Sequence, residues 1–442
     1  MKKKKLSLKL FIIIAVVAVL IVALVTYLIV AFLPAPMNID WDKVQNIDSN
    51  VKLLAAGEGG NKTDAQALIK INSDGTIDDS PWKVLQFTDM HLSQILSTTN
   101  VTIHHFIDAL NQEKPDFVAV TGDIITRKGA LPRVKQFAEI FERMGIYWGY
   151  VLGNHEGDSD PYTVSRKNII NSFASYPRCL VQNDVKKTAS GEEVWGKGNF
   201  VVNLLGADYS LSQSLIFMDS GNRISDEDAK KYDVETGTYD YLKESQKTWY
   251  KEQVEKAIAV NAKTMLFIHI PLVEQGNVKF LKTGEPIENG WHYAKNSTLN
   301  VNGKAVGSTV VKDGWNLIEG TASYEKCYSS DYNNGMYDLM KSLRAGVSGL
   351  FCGHDHLSNS VLYEDYDPAT EKPVFLCYGQ SSGLQGYSLY QYGLSDKDEY
   401  TMRGYSVIMI HADTTFDLYN VYYDAEYKLV PRVIASEPYE KN

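Results

Sequence analysis

The chain is poor in the residues that build thiolate or basic sites. Four cysteines in 442 residues, Cys179, Cys327, Cys352 and Cys377, stand far apart with no CxxC pair. That spacing argues against a zinc–thiolate cluster, and so low a count excludes a dense disulfide framework. Cys352 and Cys377 lie in apolar runs and read as small buried hydrophobes, while a Cys179–Cys327 bridge stays open. Histidine is scarce too, at nine residues. Basic charge is in deficit, with 44 Lys and Arg against 54 Asp and Glu. Five of the lysines fall in the first 33 residues, so the remainder holds 39 basic against 54 acidic side chains, a net of −15. Such a body has no electrostatic footing on nucleic acid or anionic lipid, and no nucleic-acid binding is expected. Beyond residue 33 no apolar run is long enough to span a bilayer.

One such run stands at the start. Lys2 to Lys5 and Lys9 precede the uncharged segment Leu10 to Leu33, 24 residues long, where a bilayer needs about 20. A cleavable signal has a shorter apolar core and a small-residue cleavage site; Ala31-Phe32-Leu33-Pro34-Ala35-Pro36 is a poor one. The positive-inside rule keeps the lysines cytoplasmic. The expectation is a single-pass, uncleaved signal anchor in the cell membrane, with residues 1–9 cytoplasmic, 10–33 spanning and the rest extracytoplasmic. Residues 34–80 read as a stalk and lead-in, with Ala67–Ile71 and Trp82–Leu85 paired as a hairpin about the Asp74-Gly75 turn. Residues 81–425 read as the catalytic domain and 426–442 as a tail.

From Trp82 onward strand-like runs alternate with helical ones, which implies an α/β domain with a parallel or mixed sheet. The apolar spacing predicts helices over 101–112, capped by Asn100, over 131–144 and over 239–260. Two polar excursions, 157–212 and 275–331, flank His269 and are expected to shape a substrate pocket.

Five short blocks follow strand-like runs: Asp89-Met90-His91, Gly122-Asp123, Gly153-Asn154-His155-Glu156, the lone His269, and Gly353-His354-Asp355-His356. They hold five of the nine histidines. Each block is weak alone, since a lone histidine is more often a satisfied core residue. Strands that each end in Asp, Asn or His, however, bring oxygen and nitrogen donors to one sheet edge. Two divalent ions need a bridging carboxylate, hard oxygens and neutral imidazoles. Asp123 is the natural bridge, Asn154 offers a neutral carbonyl oxygen, and His155 is left over. Mn, Fe and Zn all suit such a set.

The ordered set D-x-H, GD, GNH[ED], H and GH-x-H resembles the calcineurin-like metallophosphoesterase superfamily, over roughly residues 82–412. The resemblance implies a four-layer αββα sandwich, two mixed β-sheets flanked by helices. It implies that Asp89, His91 and His356 bind one metal, that Asn154, His269 and His354 bind the second, and that Asp123 bridges them. It further implies that a metal-bridging hydroxide attacks phosphorus while His155 faces the substrate and aids departure of the leaving oxygen. Glu156 and Asp158 are candidates for orienting His155, and Arg223 and Arg403 for clamping phosphate. The chain departs from purple acid phosphatases by Thr126, where they carry tyrosine, and by His91, which they lack, so a tyrosinate–iron centre is not expected. It departs from protein Ser/Thr phosphatases by Leu152, where they carry arginine. The branch it looks most like is one distantly related to the purple enzymes. The expected activity is hydrolysis of phosphate monoesters. Alternatives are a phosphodiesterase acting on nucleotides, lipid head groups or wall polymers, and a surface binding module whose metals are structural.

Overall fold

A computed structural model describes residues 8–32, 36–92, 96–125, 130–156, 164–301, 303–384, 402–423 and 429–435. The first strands are β1 (Val51–Leu54), β2 (Ala67–Lys70), β3 (Trp82–Phe87), β4 (Phe117–Val120), β5 (Trp148–Tyr150) and β6 (Phe200–Leu205). Next come β7 (Leu211–Phe217), β8 (Lys263–Phe267), β9 (Val278–Lys282), β10 (Trp291–Val301), β11 (Lys304–Lys312) and β12 (Trp315–Leu317). The last are β13 (Val347–Cys352), β14 (Val361–Glu364), β15 (Phe375–Tyr378), β16 (Gly404–Ile410), β17 (Phe416–Tyr423) and β18 (Leu429–Ala435). The helices are α1 (Leu8–Phe32), α2 (Leu96–Glu113), α3 (Ala130–Met144), α4 (Arg166–Phe173), α5 (Asp226–Tyr232), α6 (Glu244–Ile258) and α7 (Met336–Ser342).

Two mixed sheets form the body. One has the order β18-β17-β16-β3-β4-β5, the other β1-β2-β6-β7-β8-β13-β15-β14-β12. Strands β3, β4 and β5 are parallel in the first, and β7, β8, β13 and β15 are parallel in the second. The sheets bury their inner faces against each other through phenylalanines: Phe117 meets Phe217 at 6.1 Å between ring centres, and Phe416 meets Phe351 at 5.8 Å. The outer face of the six-stranded sheet is covered by α2 and α3, with Phe87 against Phe106 and Trp148 stacked on Phe141. Helices α6 and α7 cover the nine-stranded sheet through Trp249, Tyr250, Met336 and Met340. Continuous burial on both faces explains why the central strands are near-uniformly apolar rather than alternating. The order helix, sheet, sheet, helix is the sandwich expected from the sequence.

Several local expectations are corrected. Residues 36–80 do not simply lead in: β1 and β2 pair with each other and extend the nine-stranded sheet beside β6. The Asp74-Gly75 turn forms, but only the bridge Ile71–Ile77 closes it, and Trp82 onward departs to the other sheet. The expected hairpin partner of β2 is thus replaced by β1. Helix α2 begins before Asn100, because that side chain accepts a hydrogen bond from the Asn38 backbone instead of capping. Helix α6 begins at Glu244, leaving Tyr239 in an extended segment. Strand β18 pairs with β17, so part of the expected tail belongs to the sheet. The four cysteines are free. The apolar N-terminal segment coincides with α1, but among the described residues no helix is long and apolar enough to cross a membrane.

Candidate metal centre

All five blocks leave the carboxyl ends of parallel strands, where open sheets place their ligand sites. Asp89 and His91 follow β3, Asp123 follows β4, Asn154 follows β5, His269 follows β8, and His354 and His356 follow β13. Because β3, β4 and β5 belong to one sheet and β8 and β13 to the other, the site lies where the two sheet edges meet. Gln86 ties them at its floor, donating from Nε2 to the Thr121 hydroxyl and to the Cys352 carbonyl.

Close approach of these loops needs residues without a side chain. A Cβ on Gly153 would lie 2.2 Å from Asp123 Oδ1, and one on Gly353 would lie 1.8 Å from Thr88 Oγ1. The loops are then held by carboxylates. Buried Glu156 accepts backbone N–H bonds from Asp123 (2.9 Å), Ile124 (2.7 Å), Ile125 (3.2 Å) and Gly153 (2.6 Å). Those four bonds occupy Glu156 and correct its candidacy as orienter of His155; Asp158 lies outside the described residues, as does Thr126. The peptide joining His356 to Leu357 is gripped at both ends. Arg403 donates to the His356 carbonyl at 2.7 Å, and Glu325 accepts from the Leu357 N–H. Arg403 is fully buried in this role, which is why it offers no surface for clamping phosphate.

Seven donor atoms converge in two groups. His91 Nε2 lies 3.0 Å from His356 Nε2, which lies 3.6 Å from Asp89 Oδ1. His269 Nε2 lies 3.0 Å from Asn154 Oδ1 and 3.3 Å from His354 Nδ1. Asp123 stands between the groups, with Oδ2 3.7 Å from His91 Nε2 and 3.3 Å from His269 Nε2. Within each of the trios Asp89–His91–His356 and Asp123–His269–His354, the donor atoms all lie within 4.8 Å of one another. Ligands about 2.1 Å from a shared cation lie roughly 3.0 to 3.4 Å apart at octahedral to tetrahedral angles, so the donors fit metal ions. Asp89 Oδ1 supports the fit, since it is buried and receives no hydrogen bond.

Electrostatics hold His91, His354, His356 and Asp123 in ligating forms, whereas burial raises Asp89 to about 6 and His269 must give up a proton to ligate. Burial depresses His91 to a pKa of about 4 and holds His354 and His356 well below the usual imidazole value, which keeps all three neutral. Asp123 sits well below the carboxylate range: burial opposes this, but the nearby imidazoles, His269 first, outweigh it. Burial likewise opposes protonation of His269, yet the Asp123 carboxylate raises it to about 9. The His269 Nδ1–H donates to the Thr121 carbonyl at 2.7 Å, aiming Nε2 into the site; such an outer hydrogen bond fixes ring and tautomer in metal-ligating histidines. Half-buried His155 stands apart from both trios. Its backbone N–H donates to Asp123 Oδ1 at 2.8 Å, and its ring lies edge-on to His91 at 5.3 Å.

A cavity of about 90 Å³ opens over the centre, lined by Asp123, His155, His354, Asp355 and His356 together with Tyr239, Glu325 and Tyr328. The last three were not read from the sequence. They arrive from loops without strand context, and no local pattern marks them. The expectation that segment 275–331 shapes a pocket does fit Glu325 and Tyr328. Arg166 is another unread residue. It donates to the Gly153 carbonyl and pairs with Asp219 just past β7, strapping the two sheet edges together.

Two mixed sheets whose strand ends gather carboxylate, amide and imidazole donors around one central aspartate define a metal-dependent phosphoesterase. A family model described as calcineurin-like phosphoesterase matches residues 83–358, more than half of the chain, and the chain belongs to that family. Among curated relatives, "Probable inactive purple acid phosphatase 28" of Arabidopsis thaliana is 24% identical over 343 residues, covering 70% of this chain and 72% of its own. "Probable inactive purple acid phosphatase 14" of the same plant is 23% identical over 354 residues, covering 72% and 73%. Among solved structures, a dimetal phosphatase from Danio rerio covers 81% of this chain and 100% of its own, with a TM-score of 0.44 and 10% identity.

Proposed function

We propose that the protein is a membrane-anchored, extracytoplasmic phosphomonoesterase with a two-metal centre. The observation that supports it most is the gathering of six oxygen and nitrogen donors about Asp123, with His155 beside them and outside both trios. Asp89, His91 and His356 would hold one cation, Asn154, His269 and His354 the other, and Asp123 both. Bound there, two divalent cations polarise the phosphoryl oxygens and make water a nucleophile at neutral pH. The mixed N/O donor set suits Mn, Fe or Zn.

The chain's own groups divide the remaining work. His155 lines the cavity and passes a proton to the departing ester oxygen, acting as a general acid. Glu156 holds the Asp123 and Gly153 backbones in register, so the donors are placed before substrate arrives. Tyr239 and Tyr328 line the cavity beside His155. The two plant relatives carry "inactive" in their names; this chain has all seven donors and His155, which supports turnover here.

The anchor reading rests on Lys2 to Lys5, Lys9 and the uncharged stretch to Leu33. It is supported by the exposure of the described apolar side chains of α1, among them Ile12 at 52%, Val19 at 67% and Leu24 at 56%. Full-length protein should stay with membranes after alkaline carbonate extraction, and a chain starting at residue 36 should not; release of the full-length chain would remove the anchor. For the activity, p-nitrophenyl phosphate and its bis ester are compared with Mn²⁺ and after chelation. The monoester should turn over faster, and only with metal. Preference for the bis ester would make the protein a diesterase, and metal binding without turnover of either would make it a binding module.

A further inference from the structure

We infer that Arg223, stacked on Tyr239 at the mouth of the metal cavity, reads a second anionic group on the substrate, so that preferred substrates are phosphate esters whose leaving group is itself negatively charged. The inference rests on the phosphoesterase reading and narrows it.

Tyr239 belongs to the cavity, and Arg223, stacked on its ring, belongs to the crevice. The Tyr239 ring stands edge-on to His354 at 4.3 Å and lines the cavity over the donors. Arg223 covers it with the guanidinium carbon 3.9 Å from the ring centre. The arrangement is fixed rather than incidental: Arg223 and Tyr239 pair as an antiparallel bridge, and Arg223 Nη1 donates to the Gly237 carbonyl at 3.0 Å. Arg223 in turn lines an open crevice of about 810 Å³. The cavity and the crevice thus adjoin across this pair, and a leaving group pointing out of the cavity would enter the crevice past Arg223.

The charges say what that leaving group carries. Among its described lining residues the cavity has no Lys or Arg, so beyond the cations its walls carry no permanent positive charge. In the crevice, Arg166 is neutralised by Asp219, and Lys243 by Asp228 and Asp240. Glu192, Glu193, Lys197 and Lys231 also line it, with Glu244, which pairs with Lys247. Among the described residues Arg223 forms no ion pair, and its exposed guanidinium keeps most of its five N–H donors for a ligand. That fork matches a carboxylate or a second phosphate in a bidentate pair. Stacking on a ring holds the fork in place and lowers the entropy lost on binding.

The test compares phenyl phosphate with 4-carboxyphenyl phosphate, which share a ring and differ by one remote carboxylate. In the Mn²⁺-loaded wild type, the carboxylated ester should have the higher kcat/KM. Arg223→Ala should lower kcat/KM for the carboxylated ester about tenfold more than for phenyl phosphate. Arg223→Glu should widen that gap, and Arg223→Lys, which keeps charge but not the fork, should recover part of it. An equal loss on both esters, or no loss, would overturn the inference while leaving the hydrolase intact. Turnover of neither ester by the metal-loaded wild type would overturn the phosphoesterase reading and this inference together.

Discussion

Four of the donor residues hold backbone conformations that L-residues seldom adopt. Asp89, His91, Asp123 and His354 have φ of 53°, 45°, 52° and 85°, each costing about 1–3 kcal/mol. The strain is held by bonds the loops make to one another: Asp89 N–H to the Gly122 carbonyl, His91 N–H to the Asp123 carbonyl, and His354 N–H to Asp89 Oδ2 at 2.9 Å. A side chain here therefore does two tasks, and substitutions should separate them. Asp123→Asn should weaken metal binding at least about 100-fold and abolish turnover with it, read by calorimetric metal titration and assay. His155→Ala should keep the metal yet lower kcat about 10²–10⁴-fold; an unchanged rate would remove its proton-transfer role. Far from the centre, His105 packs on Tyr423 with ring centres 4.0 Å apart, and burial depresses it to a pKa of about 4 despite the opposing charge of Asp108. Its folded pKa is lowered, so between about pH 6.5 and 4 the unfolded chain binds the extra proton. Stability should fall as pH drops through that window, and His105→Gln should flatten that part of a denaturation-midpoint profile. The donor residues were legible as an ordered set, because each block follows an apolar strand. Tyr239, Glu325 and Tyr328 were not, because their positions depend on loops that meet only in the folded chain.

At the scale of elements, the centre exists because strand ends from two sheets are packed to within contact of each other. Gly353 is the tightest point. A methyl there overlaps Thr88 Oγ1 and approaches Asp89 Oδ2 to 2.8 Å, so Gly353→Ala should force the β13 loop from the β3 loop. A loss of about 1–3 kcal/mol in urea unfolding is expected, together with weakened metal binding; a variant with native affinity would show that the loops can yield. The Arg166–Asp219 pair makes a second prediction. Asp219 is almost fully buried, and Asp219→Ala strands a guanidinium, which should cost about 3–5 kcal/mol in the same measurement. The strand-like runs before the five blocks were read correctly, as β3, β4, β5, β8 and β13. Element starts were less legible. Asn100 looked like a cap but bonds the backbone of Asn38, and only the distant chain segment explains why.

The whole molecule is a sandwich whose core and metal centre are made from the same strands, so metal and fold stability should be linked. A cation bound only by the folded state adds about 2.7 kcal/mol at a hundredfold excess over its Kd. Chelation should lower the Tm by a few degrees, restored by Mn²⁺; a Tm indifferent to chelator would mean that the donors do not hold metal in solution. The sequence by itself determined the strand-and-helix alternation, the order of the five blocks and the chemical kind of each donor, because side-chain periodicity and motif spacing are local properties of the chain. It took the folded chain to show that Glu156 braces backbone instead of His155, that Arg403 is buried while Arg223 lines the crevice, and that Arg223 stacks on Tyr239 of the cavity wall. Those roles depend on which groups lie nearby once residues as distant as Asp89 and His354 are brought together, and local patterning carries no record of that.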